Sequence, residues 1–190
     1  MKRQTRVIAF DDGRFSSRSG QVPVVGIVAR LPSYVEAAVI SACEIDGKDA
    51  TERVIETVAS SRLKEQIRAI MIDGIAFGGF NVIDLEEVKR KTGVPLISVT
   101  RHMPDLEAIR DALVKHFDDW ERRFSTIKQY TPYRLETPRW KLYVSSAGMS
   151  KKETLELVDA SIVRGNYPEP LRLAHIFAGA VSTGESTGRA

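Results

Sequence analysis

Short apolar runs, rich in β-branched residues, alternate with turn residues in the first part of the chain. The runs cover residues 6–11, 22–31 and 34–46, and they are so closely spaced that only hairpins can connect them. Apolar positions then change to helical spacing after Asp49, which stands at the N-cap position, and a further strand covers residues 69–73. The pattern therefore predicts three antiparallel strands, a helix and a fourth strand.

The rest of the chain alternates helices with strands. A helix over 84–92 ends before Gly93, and a strand follows over 96–100. The later predictions are a helix from 105 that continues through 127, a loop over 131–139, a candidate strand over 141–145, helices over 150–163 and 169–181, and a flexible tail over 182–190. Because strand–helix–strand connections imply parallel pairing, we expect a mixed five-stranded sheet with three antiparallel strands, then parallel strands. Helices on both faces complete an α/β, ribonuclease-H-like fold.

Composition narrows the class of protein. At 190 residues, 43% of them hydrophobic, residues 1–190 can form one well-packed domain. The net charge of +3 is small, so any affinity for nucleic acid must come from a local patch. Cys43 is the single cysteine, which excludes an internal disulfide and favours a reducing compartment. The N-terminus does not resemble a secretory signal, and no apolar stretch approaches the ~20 residues that span a bilayer. We therefore expect a cytoplasmic protein without a membrane segment, either a monomer or a homodimer.

Carboxylates stand at the ends of two predicted strands. Asp11 ends the first strand, and Asp73 ends the fourth within Ile-Met-Ile-Asp-Gly. If these strands are neighbours, the two acids meet and repel each other, and a divalent cation relieves that repulsion. Hard oxygen ligands without Cys or His clusters favour Mg²⁺ or Mn²⁺. Such a metal would orient a water and stabilise an in-line phosphodiester displacement.

Further acids lie close by. The third strand offers Glu44 and Asp46, which share a face because side chains alternate, and Asp49 follows. Asp12, next to Asp11, is a secondary candidate. The alternative is that the Asp-Gly pairs simply form turns, since Asp-Gly is a common hairpin signal.

Three weaker signals remain. His175 lies in the last predicted helix, where a histidine of the core or the helix face is the alternative to a catalytic one. Arg101 and His102 follow the fifth strand, where they can meet a phosphate or be solvated loop residues. Basic and aromatic residues alternate over 120–128, a pattern more typical of a helix that is half core and half solvated than of a binding surface.

Several segments resemble known families. Residues 143–148 (Tyr-Val-Ser-Ser-Ala-Gly) and 167–175 (Tyr-Pro-Glu-Pro-Leu-Arg-Leu-Ala-His) resemble the closing part of endonuclease V, and residues 95–101 its central block. A closer resemblance is to the archaeal domain-of-unknown-function 99 family, a relative of endonuclease V that includes a nuclease acting at deoxyuridine. It is carried by residues 10–13 (Phe-Asp-Asp-Gly), 46–51 (Asp-Gly-Lys-Asp-Ala-Thr), 73–75 with 79–81, and 184–186.

The resemblance implies roles for individual residues. Asp11 and Asp73 would be metal ligands, His175 a catalytic helper near the metal, and Arg101 a phosphate contact. The third-strand glutamate of endonuclease V has no clean counterpart, and Asp46 is favoured in its place, with Asp49 and Glu44 as substitutes.

Departures from endonuclease V concern the substrate. Its Tyr-Pro wedge is absent, and Tyr34 stands in that region. The loop after Asp73 has Phe77 and Phe80 in place of small residues and a histidine. These three aromatic residues are candidates to stack on an unpaired base.

The sequence thus predicts a Mg²⁺- or Mn²⁺-dependent endonuclease that cleaves DNA phosphodiester bonds near a deaminated base, with deoxyuridine favoured over hypoxanthine and a role in DNA repair. RNA remains an alternative partner. A non-catalytic nucleic-acid-binding or scaffolding module of the same fold is the rival hypothesis, and a nucleotide hydrolase is a third.

Overall fold

The computed structural model of the protein describes residues 4–17 and 19–186. Its strands are β1 (Arg6–Asp12), β2 (Gln21–Arg30), β3 (Tyr34–Glu44), β4 (Ala69–Asp73), β5 (Ala76–Phe77), β6 (Asn81–Val82), β7 (Leu96–Thr100), β8 (Tyr133–Glu136) and β9 (Lys141–Ala147). Within these described ranges the main sheet has seven strands in the order β3-β2-β1-β4-β7-β9-β8, and β5 and β6 form a separate small sheet. The predicted mixed α/β sheet is confirmed.

The predicted number of five strands is wrong, because β8 and β9 extend the sheet beyond β7. β9 pairs antiparallel with β7, and β8 pairs antiparallel with β9. β8 lies inside the segment 131–139, which the sequence predicts to be a loop. The strand has only four residues and lies between Pro132 and Pro138, so it is too short for a clear alternating pattern.

The helices are α1 (Ala50–Ser60), α2 (Leu85–Thr92), α3 (Leu106–His116), α4 (Trp120–Gln129), α5 (Lys151–Ser161) and α6 (Glu169–Thr183). The ends of α2 follow ordinary capping chemistry. The Asp84 carboxylate accepts a hydrogen bond from the Glu87 amide at the start of α2, and Gly93 ends that helix with φ 71°. The single helix predicted from 105 to 127 is instead two helices, because Phe117 adopts an extended backbone conformation.

The two faces of the sheet carry different cores. Ile8 and Phe10 of β1 pack with residues of α1 and α2, whereas Val7 and Ala9 pack with residues of α5 and α6. Since side chains alternate along a strand, Asp11 projects on the α6 side and Asp12 on the other side. This alternation decides which acids can meet.

Part of the expected tail is ordered as helix. Ser182 and Thr183 form the end of α6, and Gly184 terminates it with φ 83°. Residues 187–190 of that expected tail lie outside the described residues. Across 4–17 and 19–186, no helix has both the length and the apolar character needed to cross a membrane.

Candidate active site

Asp11 and Asp73 lie side by side on neighbouring strands. β1 and β4 are parallel, and Ala9 is paired with Met71. Each aspartate is two residues further along its strand, so both carboxylates point to the same side of the sheet at the carboxyl ends of the strands. Asp11 is only 5% exposed. The strand register therefore brings these two acids together, as the sequence predicts for neighbouring strands.

The electrostatics of Asp73 reflect this crowding. Burial, and then repulsion from Asp11, raise the pKa of the Asp73 carboxyl to about 6, although the Tyr167 hydroxyl, Arg101 and His175 oppose the change. A buried carboxylate beside a partly buried one is costly to ionise. A cation between them would remove that cost.

His175 joins the pair from α6. Its Nδ1 lies 2.8 Å from Oδ2 of Asp11, and its side chain is 35% exposed. The hydrogen bond to Asp11 raises the pKa of His175, while partial burial opposes the increase. Because Nδ1 faces Asp11, Nε2 is the nitrogen left for a substrate or water.

Arg101 and Tyr167 complete the group. The Arg101 guanidinium lies 3.8 Å from the centre of the Tyr167 ring, a cation–π contact. Tyr167 is 4% exposed, and its hydroxyl donates to the Val99 carbonyl at 3.4 Å. Burial, and then the charge of Asp73, raise the pKa of Tyr167 well above its usual value. Sequence reasoning did not select Tyr167, although its place before Pro168 in the 167–175 segment was the available signal.

Asp12 serves the opposite side of the sheet. Its Oδ2 accepts a hydrogen bond from the Gly78 amide at 2.9 Å, and burial raises its pKa to about 6. Gly78 lies in the turn between β5 and β6. Asp12 therefore fastens the segment that follows Asp73 to the end of β1.

Asp46 lies with this turn and not with the other two acids. Its Oδ1 accepts from the Phe80 amide at 2.9 Å, and its own amide donates to the Gly78 carbonyl at 2.7 Å. Asp46 has φ 56°, a left-handed conformation that a non-glycine residue adopts at a cost. In the part of the chain that the structure describes, no group of three His, Cys, Asp or Glu residues could hold a metal ion. The structure thus does not assemble the expected Asp11–Asp46–Asp73 trio.

The two substitutes for Asp46 do not fill the gap. Asp49 accepts hydrogen bonds from the Glu44 amide at 3.0 Å and from the Asn81 side chain at 2.7 Å, so its carboxylate organises the connection before α1. Across the strands, Asp11 lies opposite Val25, and Val25 lies opposite Ile40. Glu44 shares the side of Ile40 but lies four residues, about 13 Å, further along β3. An apolar residue therefore occupies the third-strand position level with Asp11.

A metal titration tests this division of the acids. We expect Asp46→Asn to change the affinity for Mn²⁺ by less than about twofold, because the amide oxygen can still accept from Phe80 and the residue does not face the paired acids. Asp11→Asn should weaken Mn²⁺ binding at least about tenfold by removing a charged oxygen ligand. Isothermal titration calorimetry on both variants makes the comparison, and an equal loss in the two would return Asp46 to the ligand set.

Two of the three candidate stacking residues are badly placed for that role. Phe77 is 0% exposed within the core shared with α1 and α2, so no base can stack on it. Tyr34 is 68% exposed, but it lies opposite Arg30 of β2 in the sheet, and Arg30 lies opposite Arg6 at the start of β1. That end of the sheet is about 17 Å from Asp11 along the strand. Phe80 is partly buried, with its ring in edge contact with Phe117 at 5.7 Å.

The mixed sheet with helices on both faces is a ribonuclease-H-like fold, which solved structures of endonuclease V share. The crystal structure of endonuclease V from Ciona intestinalis, in complex with a 24mer DNA containing an inosine followed by a ribo-adenosine, matches with a TM-score of 0.58 at 11% identity, over 90% of this chain and 83% of that one. At this identity the likeness shows the fold alone.

The family follows from closer relatives. The family model described as endonuclease dU matches residues 3–182, and the chain belongs to that family. A UPF0215 protein from Methanothermobacter thermautotrophicus is 41% identical over 191 residues, which cover 100% of this chain and 94% of that protein. A protein of unknown function from Archaeoglobus fulgidus has a crystal structure that matches with a TM-score of 0.83 at 35% identity, over 93% of this chain and 97% of that one.

Proposed function

We propose that this protein is a Mg²⁺- or Mn²⁺-dependent endonuclease that cleaves DNA phosphodiester bonds near a deaminated base, with deoxyuridine favoured over hypoxanthine. The observation that carries the proposal is the pair Asp11 and Asp73, held on one side of neighbouring parallel strands with His175 and Arg101 beside them. The description of the family, endonuclease dU, supports the choice of base. A role in DNA repair follows from that substrate.

The donor set suits a hard divalent cation. Mg²⁺ is commonly bound by one or two carboxylates and completes its shell with waters and substrate phosphates. Asp11 and Asp73 supply two such carboxylates. Burial, and then repulsion from Asp11, raise the pKa of Asp73, and a bound cation would stabilise its charged form. When bound, the metal would lower the pKa of a water and stabilise the charge of an in-line displacement.

The remaining residues each have a defined task. Asp11 orients His175 through Nδ1, so that Nε2 can hold or move a proton at the reacting water or leaving oxygen. Arg101 can hold a phosphate through its guanidinium while its face stays on the Tyr167 ring. Tyr167, in turn, keeps the arginine near Asp73.

A nicking assay tests the proposal. Purified protein is incubated with oligonucleotides that contain deoxyuridine, hypoxanthine or only normal bases, with Mg²⁺, Mn²⁺ or EDTA. We expect nicking at deoxyuridine at least about tenfold faster than in the unmodified strand, and none in EDTA. If no modified strand is nicked with either metal, the catalytic proposal fails.

One observation favours a second candidate, a nucleic-acid-binding module without catalysis. Over residues 4–17 and 19–186 no third acid joins the pair to form a three-ligand metal group. The two candidates differ in metal response, because only the nuclease requires Mn²⁺ binding at the paired acids. Loss of Mn²⁺ binding on Asp11→Asn, together with nicking by the wild type, would exclude the module.

A further inference from the structure

A pocket of about 350 Å³ opens beyond the end of β7, next to Arg101. It lies where β7 ends and β9 begins, since Thr100 is paired with Tyr143. Its lining consists of polar and cationic side chains with one methionine: Arg101, His102, Met103, Lys141, Tyr143 and Asn166. The volume is within the ~300–1,000 Å³ typical of small-molecule sites.

Three donors of this pocket have no partner among the described residues. The side chains of Lys141, Tyr143 and Asn166 make no hydrogen bond or ion pair with any other described residue. No acid lines the pocket. Glu136, opposite Lys141 on β8, is ion-paired with Arg134, and Asp73 lies near Arg101 but outside the lining, so the lining itself carries net positive charge. A second polar pocket, between α1 and α4, differs in this respect, because its Lys48 is paired with Asp119 at 2.9 Å. The pocket beside Arg101 is therefore set up for an anion.

We propose that this pocket binds one nucleotide of the nucleic-acid strand, next to the phosphate held by Arg101. This inference rests on the proposed function and extends its substrate contact by one nucleotide. Lys141 binds the phosphate of this nucleotide as a point charge, and Tyr143 offers a ring face to its base or sugar. Asn166 supplies amide hydrogen bonds. Continuity with Arg101 favours a linked nucleotide over a free anion, since one strand can contact both cations.

Binding in EDTA tests the inference without turnover. Fluorescence anisotropy measures the Kd of the full chain for a labelled single-stranded oligonucleotide at several salt concentrations. We expect Lys141→Ala to raise the Kd roughly tenfold at low salt and to reduce the slope of log Kd against log salt by about 0.7. Lys141→Arg should restore both. The matched control is Lys91→Ala, an exposed lysine at the end of α2 and at the opposite end of β7, which should leave Kd and slope unchanged.

Competition separates a linked nucleotide from a free anion. We expect a dinucleotide to displace the labelled strand far better than inorganic phosphate or a mononucleotide, and Tyr143→Leu to weaken binding several-fold with little change in salt slope. Equal competition by inorganic phosphate would overturn the inference. If the Lys141→Ala protein binds and nicks like the wild type, the inference is also overturned, but the proposed function stands. Conversely, if strand binding depends on Lys141 but the protein nicks no substrate, the proposed function fails and the inference about the pocket stands.

Discussion

Replacing Asp73 by asparagine should reduce nicking by at least about 10³-fold, because the amide removes the negative charge that holds the cation beside Asp11. The substitution keeps the size of the side chain and leaves β4 intact. Single-turnover rates at saturating substrate, measured with Mg²⁺ and with Mn²⁺, give the size of the loss. Glu44→Gln is the matched control, since Glu44 is an exposed acid at the end of β3 and its neutralisation should leave the rate unchanged.

The same variant should not lose stability in the metal-free protein. The folded pKa of Asp73 is about 6, above its ordinary value of 3.8. This group therefore leaves the folding free energy unaffected below pH about 4, makes it less favourable as the pH rises from about 4 to about 6, and imposes the full penalty above that. Asparagine removes this penalty, so the melting temperature at pH 7.5 in EDTA should be equal to or higher than that of the wild type. A melting temperature below that of the wild type would mean that the variant loses activity because its fold is damaged.

The paired acids were predictable because they depend on two simple regularities. Alternation along β1 and β4 places Asp11 and Asp73 on one side of the sheet once β1 and β4 are parallel neighbours, as the ribonuclease-H-like fold implies. His175 was reached only through the family resemblance. Its helical spacing alone equally fits a core histidine, and no local pattern indicates that α6 crosses the sheet beside Asp11.

The position of the third candidate acid, Asp46, could not be predicted, because it does not depend on strand alternation. Asp46 follows the last residue of β3, and its position depends on a left-handed backbone angle and on hydrogen bonds to Gly78 and Phe80. These partners are more than thirty residues away in sequence. Strand periodicity cannot report such a contact. An Asp-Gly pair looks the same whether its carboxylate binds a metal or a loop amide.

The aromatic residues after Asp73 illustrate a similar limit. Phe77 and Phe80 stand in the same glycine-rich segment, yet Phe77 is wholly buried and Phe80 contacts the start of the α3–α4 connection at Phe117. The difference arises from the two-residue strands β5 and β6, which turn Phe77 into the core. Strands of this length leave no pattern in the sequence. Substrate contacts are therefore better sought in pockets than in motifs.

The largest stability effect should come from Arg123, a buried guanidinium that organises the loops of Asp46 and Phe80. The side chain donates to the carbonyls of Asp46 at 3.0 Å and Gly47 at 2.9 Å and to the carbonyl of Phe80, and its Nε donates to Asp119 at 2.9 Å. We expect Arg123→Lys to cost about 2–4 kcal/mol of unfolding free energy, because a point charge on a flexible stem cannot reproduce this planar fork. Urea unfolding measures the loss.

The neighbouring residue supplies the control for that prediction. Arg122 is exposed one position earlier on α4, so Arg122→Lys should change the unfolding free energy by less than about 0.5 kcal/mol. Hydrogen exchange then localises the damage: in Arg123→Lys the amide of Phe80, which donates to Asp46, should exchange faster, while amides of the central strands β1 and β4 should keep their relative protection. Equal stability of the two variants would mean that the guanidinium contacts do not hold the loops, and that the hydrogen bonds of Asp12 and Asp46 are enough to hold the segment after Asp73.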